Sequence, residues 1–97
     1  VNIQKYIQET VPGEEIMLAD GLDEAFIGIG RTFTTPLAAV YDSDKVIKIL
    51  MTRDVMTYEE AWEFFEFNIA GAYVGESTPI FISVMRKTNN KRKGAKK

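Results

Sequence analysis

The residues with chemistry to offer are carboxylates and one arginine. Asp20, Asp23 and Glu24 crowd a single turn, Asp42 closes a short apolar run, and Arg31 ends a glycine-spaced segment. Oxygen donors of this kind suit Mg²⁺, Mn²⁺ or Ca²⁺, and a guanidinium suits a phosphate or carboxylate. Two carboxylates in unequal surroundings can also act as acid and base. Little other chemistry is open. The 97 residues include no His and no Cys. That removes imidazole bases, thiolate nucleophiles, Ser-His and Cys-His triads, and the usual zinc and iron–sulfur ligands. The acids lack the spacing of an EF-hand loop, and Asp is ordinary at turns and helix starts. A structural role therefore outweighs a metal site, and catalysis is the minority reading. No cofactor is expected.

Gly28-Ile29-Gly30-Arg31 contains a GxG, but the third glycine of a dinucleotide fingerprint is missing, since Phe33 stands there. A strand with two glycines on one face, open to a packing helix or to a ligand, is the better expectation. A second constellation lies in Thr57–Phe67. Glu59, Glu63 and Glu66 form one helix face, with no Lys or Arg among them. Phosphates would be repelled there, which argues against a DNA-reading helix. The face suits a solvated surface, or an imitation of DNA that occupies a nucleic-acid-binding protein. Phe64 and Phe67 fall off the apolar stripe and are candidates for contact with that partner, or for packing on the glycine loop that follows.

The formal net charge of −2 hides two unlike parts. Residues 1–85 hold all fourteen acids and five of the twelve cations, a net of −9. Residues 86–97 (RKTNNKRKGAKK) hold seven cations and no acid. The expected organisation is a single acidic domain over residues 1–85 and a disordered basic tail over 86–97, since the tail has no large apolar residue to bury. Lys91, Arg92, Lys93, Lys96 and Lys97 can make weak, salt-sensitive contacts with nucleic acid or with an acidic partner. No aromatic residue alternates with these charges, so base stacking is not expected. No apolar run reaches the 18–20 residues or so of a membrane span, and VNIQKYIQET lacks the apolar region of a secretory signal, so no membrane partner is expected.

These side chains need elements to hold them. Ile3, Tyr6, Ile7 and Val11 recur at helical spacing after Asn2, and Pro12-Gly13 stops the run. Glu15–Ala19 reads as a strand, Ala25–Phe33 alternates as a second, and Leu37–Tyr41 as a third. The alternation places Ala25, Ile27, Ile29 and Phe33 on one face. Asp42 or Ser43 then caps a helix whose stripe is Val46, Ile47, Leu50 and Met51. Thr57-Tyr58-Glu59-Glu60 is a capping box, opening a helix to about Phe67 with Tyr58, Ala61, Trp62, Phe65 and Ile69 inward. On that pattern either the helix ends near Phe67 or Phe67 is exposed. Pro79–Met85 alternates as a last strand. The fold class is α+β. The order is α-β-β-β-α-α-β, with a small, mostly antiparallel sheet of three or four strands and the two longer helices on one face.

Three segments carry a resemblance: LADGLDEAFIGIG (Leu18–Gly30), AAVYDSDKVIKILM (Ala38–Met51) and MTYEEAWEFFEFNIAGAYVGESTPIFI (Met56–Ile82). Together they resemble a family of small uncharacterised proteins of tailed bacteriophages. The pattern E-F-N-x-x-G-A-Y-V-G-E-x-T-P (Glu66–Pro79) is the most specific part, and the basic tail lies outside it. The resemblance implies a phage or prophage origin and a place in the host cytoplasm, and no mechanism.

Two functions remain open on the sequence. One is a non-enzymatic module that binds a host or phage protein through Glu59, Glu63, Glu66, Phe64 and Phe67. The other is a small ligand or divalent-metal site, catalytic or not, built from Asp20, Asp23, Glu24, Arg31 and Asp42 beside Gly28 and Gly30.

Overall fold

The computed structural model describes residues 2–33, 36–72, 75 and 77–86. Each helix starts where a side-chain oxygen can take its first free amides. Helix α1 (Ile3–Thr10) is capped by Asn2, whose Oδ1 accepts from the Lys5 amide at 3.0 Å. Helix α2 (Ser43–Arg53) is capped by Asp42, whose Oδ1 accepts from the amides of Asp44 at 3.0 Å and Lys45 at 3.4 Å. Helix α3 (Tyr58–Phe64) opens with the expected capping box. The Thr57 hydroxyl accepts from the Glu60 amide at 3.1 Å, and the Glu60 carboxylate accepts from the Thr57 amide at 2.9 Å. Beyond Phe64 the chain widens into a π-helical turn, Phe65–Ile69, closed by the Ala70 amide donating to the Phe65 carbonyl at 2.7 Å. Regular helix thus ends before Phe67, and Phe67 is still exposed.

The chain is α+β. Strands β1 (Phe26–Gly30), β2 (Ala38–Asp42) and β3 (Ile80–Ile82) form one sheet in the order β1-β2-β3. β1 and β2 make the expected antiparallel pair. β3 runs parallel to β2, because α2 and α3 carry the chain back to the sheet's starting end before it adds the third strand. Glu15–Ala19, expected as a strand, lies outside the sheet. Its apolar residues Ile16, Leu18 and Ala19 still pack against the core. The Ala19 amide donates to the buried Tyr41 hydroxyl at 2.8 Å, so a side chain fastens this segment where a strand would use a ladder.

One residue of β1 breaks the alternation. Phe26 pairs with Tyr41, but Gly28 pairs with Val40, which leaves Ile27 as an extra residue in a bulge. The bulge changes parity, so Phe26 and Ile29 share the inner face and both pack against Ile3, Ile7 and Val11 of the α1 region. Ile27 is pushed outward and is exposed. An inner face shared by Ile27 and Ile29 is therefore not what forms.

The main core joins Ala39 and Tyr41 of β2 to Val46, Ile47 and Leu50 of α2 and to Ala61 and Phe65. Helices α2 and α3, the latter with its π-helical turn, thus pack on one face of the sheet. Seven aromatic rings run from the surface through this core and out again, edge to face or stacked, in the order Tyr6, Phe26, Tyr41, Phe81, Phe65, Trp62, Tyr58, with centroids 5.2–6.4 Å apart. Such contacts add about 0.5–1.5 kcal/mol each beyond area burial. At the far end of β2, the buried Ser43 hydroxyl donates to the Ile82 carbonyl at 2.9 Å and ties β3 to the start of α2. No helix among the described residues is long and apolar enough to cross a membrane.

Candidate functional site

The carboxylates expected to share a ligand are distributed over three places. Asp20 stands at the rim of a groove. Asp23 and Glu24 border a separate shallow hollow with Ile49, Thr52 and Arg53. Asp42 is 2% exposed and already engaged as the α2 cap and as the ion-pair partner of Arg86, which also lies 3.6 Å from Asp44. Arg31 follows Gly30, which pairs with Ala38 at the start of β2, so it sits at the opposite end of the sheet from Asp42. Among the described residues, no three Asp or Glu gather where one cation could bind them. Of the two glycines, only Gly30 is closely packed. A Cβ on Gly30 would lie 3.0 Å from Val40 Cγ2, and one on Gly28 would lie 3.8 Å from the Tyr6 hydroxyl.

Arg86 was grouped with the tail by composition, yet it is part of the described body. Its guanidinium donates to the Asp42 carboxylate and, at 3.2 Å, to the Val84 carbonyl. Lys91, Arg92, Lys93, Lys96 and Lys97 lie outside the described residues.

The residues expected to contact a protein are better gathered. Glu63, Phe64 and Phe67 border one hollow on the outer side of α3, together with Asp54, Val55 and Glu60. Glu59 and Glu66 are exposed on the same helix and its π-helical turn. Phe67 is 76% exposed and Val55 84%. Val55 has a further peculiarity. It lies just past the end of α2 with φ +55°, in the left-handed region that β-branched residues avoid. Glycine is usual at such a position. The conformation lets the Met56 amide turn back onto the Leu50 carbonyl at 3.3 Å.

Next to this hollow lies a groove of about 350 Å³. Leu22 and Leu50 form its floor, and Met17, Phe64, Ile69 and Phe81 its walls. Asp20, Arg53, Asp54 and Asn68 stand among the apolar side chains. Ligand pockets of proteins begin at about this size. The walls are fastened from two sides. The Tyr41 hydroxyl holds Ala19, and Arg53 Nη1 donates to the Gly21 carbonyl at 2.8 Å. The Arg53 guanidinium also meets Asp54 through two parallel hydrogen bonds of 3.1 Å. Those hydrogen bonds hold the Asp54 carboxyl below its ordinary range, and Asp54 in turn raises the guanidinium. Burial pushes the Tyr41 phenol up; the Ala19 hydrogen bond opposes this, and the charges of Asp23 and Asp20 add to it.

Sequence periodicity points to Phe64 and Phe67 but gives no sign of the groove. The groove depends on Met17 and Asp20 meeting Ile69 and Phe81, residues far apart in the chain. The glycine at position 21 is the one local hint. It has φ +80°, and a Cβ there would lie 3.0 Å from Arg53 Nη1. No protein-family model, no curated protein and no solved structure matches the chain.

Proposed function

We propose that the chain is a non-enzymatic interaction module of a tailed bacteriophage or prophage, and that its α3 surface engages a host or phage protein in the host cytoplasm. The observation that carries this reading is Phe67, 76% exposed on a helix whose outer side is lined by carboxylates. An aromatic ring left in water adds nothing to folding, whereas the same ring buried against a partner is a typical interface anchor. Glu63 beside it, and Glu59 and Glu66 exposed on the same helix and its π-helical turn, steer a basic partner and repel nucleic acid. The matching partner is a protein with a basic surface, of the kind that itself binds nucleic acid. The resemblance to phage proteins supplies the setting.

Capture from host lysate on the immobilised full chain tests the proposal. The expected result is a basic protein retained by the native chain and lost in two variants. One reverses Glu59, Glu63 and Glu66 to Lys, and the other is Phe67→Ser. Retention of the same proteins by both variants would overturn it.

A further inference from the structure

We infer that the groove beside α3 receives a basic amphipathic helix of the partner, with one apolar side chain in the groove and the next against Val55 and Phe67. This rests on the reading of α3 as an interaction surface and names the partner's chemistry. The groove and the α3 hollow share Asp54, Phe64 and Asn68, so they are adjacent parts of one concave surface. Apolar side chains on one face of a helix stand a turn apart, about 5–6 Å, which suits two neighbouring hollows. The linings come mainly from helical side chains and from the 17–22 segment, so they offer pockets for anchors more than a strand edge for backbone pairing.

Charge selects the helix. Asp20, Asp54, Glu60 and Glu63 border the combined surface, against a single cation, Arg53. The net lining charge is −3, and the Arg53 guanidinium is held by Asp54 and the Gly21 carbonyl. An acidic helix would be repelled, and an uncharged one would leave the rim carboxylates without partners. A helix with Leu-like anchors and flanking Lys or Arg satisfies both parts of the surface.

Val55 supports the same assignment from another direction. A β-branched residue at φ +55° is strained, and its side chain is 84% exposed. Folding gains nothing from that arrangement, since glycine would make the same turn without strain. Strain of this kind collects at binding surfaces. The exposed isopropyl group lies where the second anchor would rest.

The probe is a fluorescein-labelled 18-residue peptide of Leu and Lys, with Leu at helical a and d spacing, titrated with the full chain by anisotropy. Two control peptides replace every Leu by Ser or every Lys by Glu. The Leu/Lys peptide is expected to bind, and each control to bind at least about tenfold more weakly. Ala72→Trp, which fills the groove from its rim, and Val55→Ser are each expected to weaken the Leu/Lys peptide by about tenfold. Glu9→Lys, on α1 and lining neither hollow, is expected to change binding little. Circular dichroism of each variant establishes that it is folded. Equal binding of the Ser/Lys peptide would overturn the inference and leave the acidic α3 surface standing. Equal binding of the Leu/Glu peptide, absence of binding, or full affinity in folded Ala72→Trp and Val55→Ser would also overturn it. Binding of the Leu/Lys peptide combined with a failed lysate capture would uphold the groove and count against the proposed setting alone.

Discussion

Removing Arg86 should destabilise the folded domain, although composition assigns this residue to the tail. The Asp42 carboxylate it meets is 3% exposed. One oxygen of that carboxylate caps α2 through the Asp44 and Lys45 amides, and the other is held by Arg86. Arg86→Ala leaves that second oxygen buried without its cation. Breaking a fully buried pair costs about 3–5 kcal/mol. Arg86 is itself 41% exposed, so water can reach part of the vacated space. A hydrogen bond to a charged group, about 1.5–3 kcal/mol, is the closer guide. A loss of about 2 kcal/mol follows. With a urea dependence of about 1–2 kcal/mol/M for a small domain, the unfolding midpoint should fall by roughly 1–2 M.

Urea unfolding followed by Trp62 fluorescence and by circular dichroism measures this. Three further chains separate the causes. A chain ending at Asn90 loses five of the seven tail cations but keeps Arg86, and should unfold at the full-length midpoint. Asp42→Asn keeps an oxygen for the cap and should cost about 1 kcal/mol. The double variant should cost about 1 kcal/mol less than the sum of the two, because the pair is broken only once. The Arg86→Ala effect should persist in 0.5 M salt, where an exposed pair would be screened. An Arg86→Ala midpoint equal to that of the native chain, or full additivity in the double variant, would refute the reasoning. A tail deletion that begins at Arg86 mixes lost tail charge with a weakened fold, so binding experiments on the tail should begin it at Lys91.

Tyr41→Phe strips the Ala19 amide of its acceptor and should cost about 1–2 kcal/mol in urea unfolding; Tyr41→Ala should cost about 3–5 kcal/mol. The Tyr41 phenol titrates above its ordinary value of 10.0 in the folded chain, so unfolded molecules ionise first. Its contribution is intact below that pH and lost as pH rises through the folded value, and Tyr41→Phe should flatten the alkaline limb of melting temperature against pH. Val55→Gly relieves a left-handed strain of about 1–2 kcal/mol against a glycine penalty of about 0.5–1 kcal/mol. It should therefore raise stability by about 0.5–1 kcal/mol while weakening the Leu/Lys peptide; a destabilised variant would count against the strain. Gly21→Ala meets both φ +80° and the Arg53 guanidinium and should cost about 1–2 kcal/mol, read as a fall in melting temperature.

What was legible in the sequence was local. The Thr57–Glu60 capping box needs only four neighbouring residues, and the stripes of α2 and α3 need only a helical repeat, although Tyr58, expected inward, is exposed at the start of α3. Asp42 was legible as a cap for the same reason. Its partner was not, because Arg86 is 44 positions away and its composition groups it with the tail. Glu15–Ala19 has the apolar content of a strand, and Ile16, Leu18 and Ala19 are half-buried against the core. Its partner is the Tyr41 hydroxyl, and nothing local distinguishes that from a ladder.

The two departures from regular periodicity have a common form. Ile27 is one residue too many for the β1 ladder, and the turn Phe65–Ile69 closes one residue later than an α-helix would. A pattern read at period 2 or 3.6 has no place for an inserted residue, so each insertion is invisible to it. Both insertions nevertheless keep the core intact. The bulge lets Phe26 and Ile29 share the inner face, and the π-helical turn keeps Phe65 and Ile69 packed against the core. The cost of each is borne on the outside, by an exposed Ile27 and by a wider helix beside Phe67. Phe65 and Ile69, four residues apart, would lie on roughly one side of a regular α-helix too, and the π-helical turn changes the direction in which the residues between them face. It lies where Ile69 and Asn68 border the groove and Phe67 and Asn68 border the α3 hollow, so its consequence falls on the surface that the Leu/Lys peptide would probe.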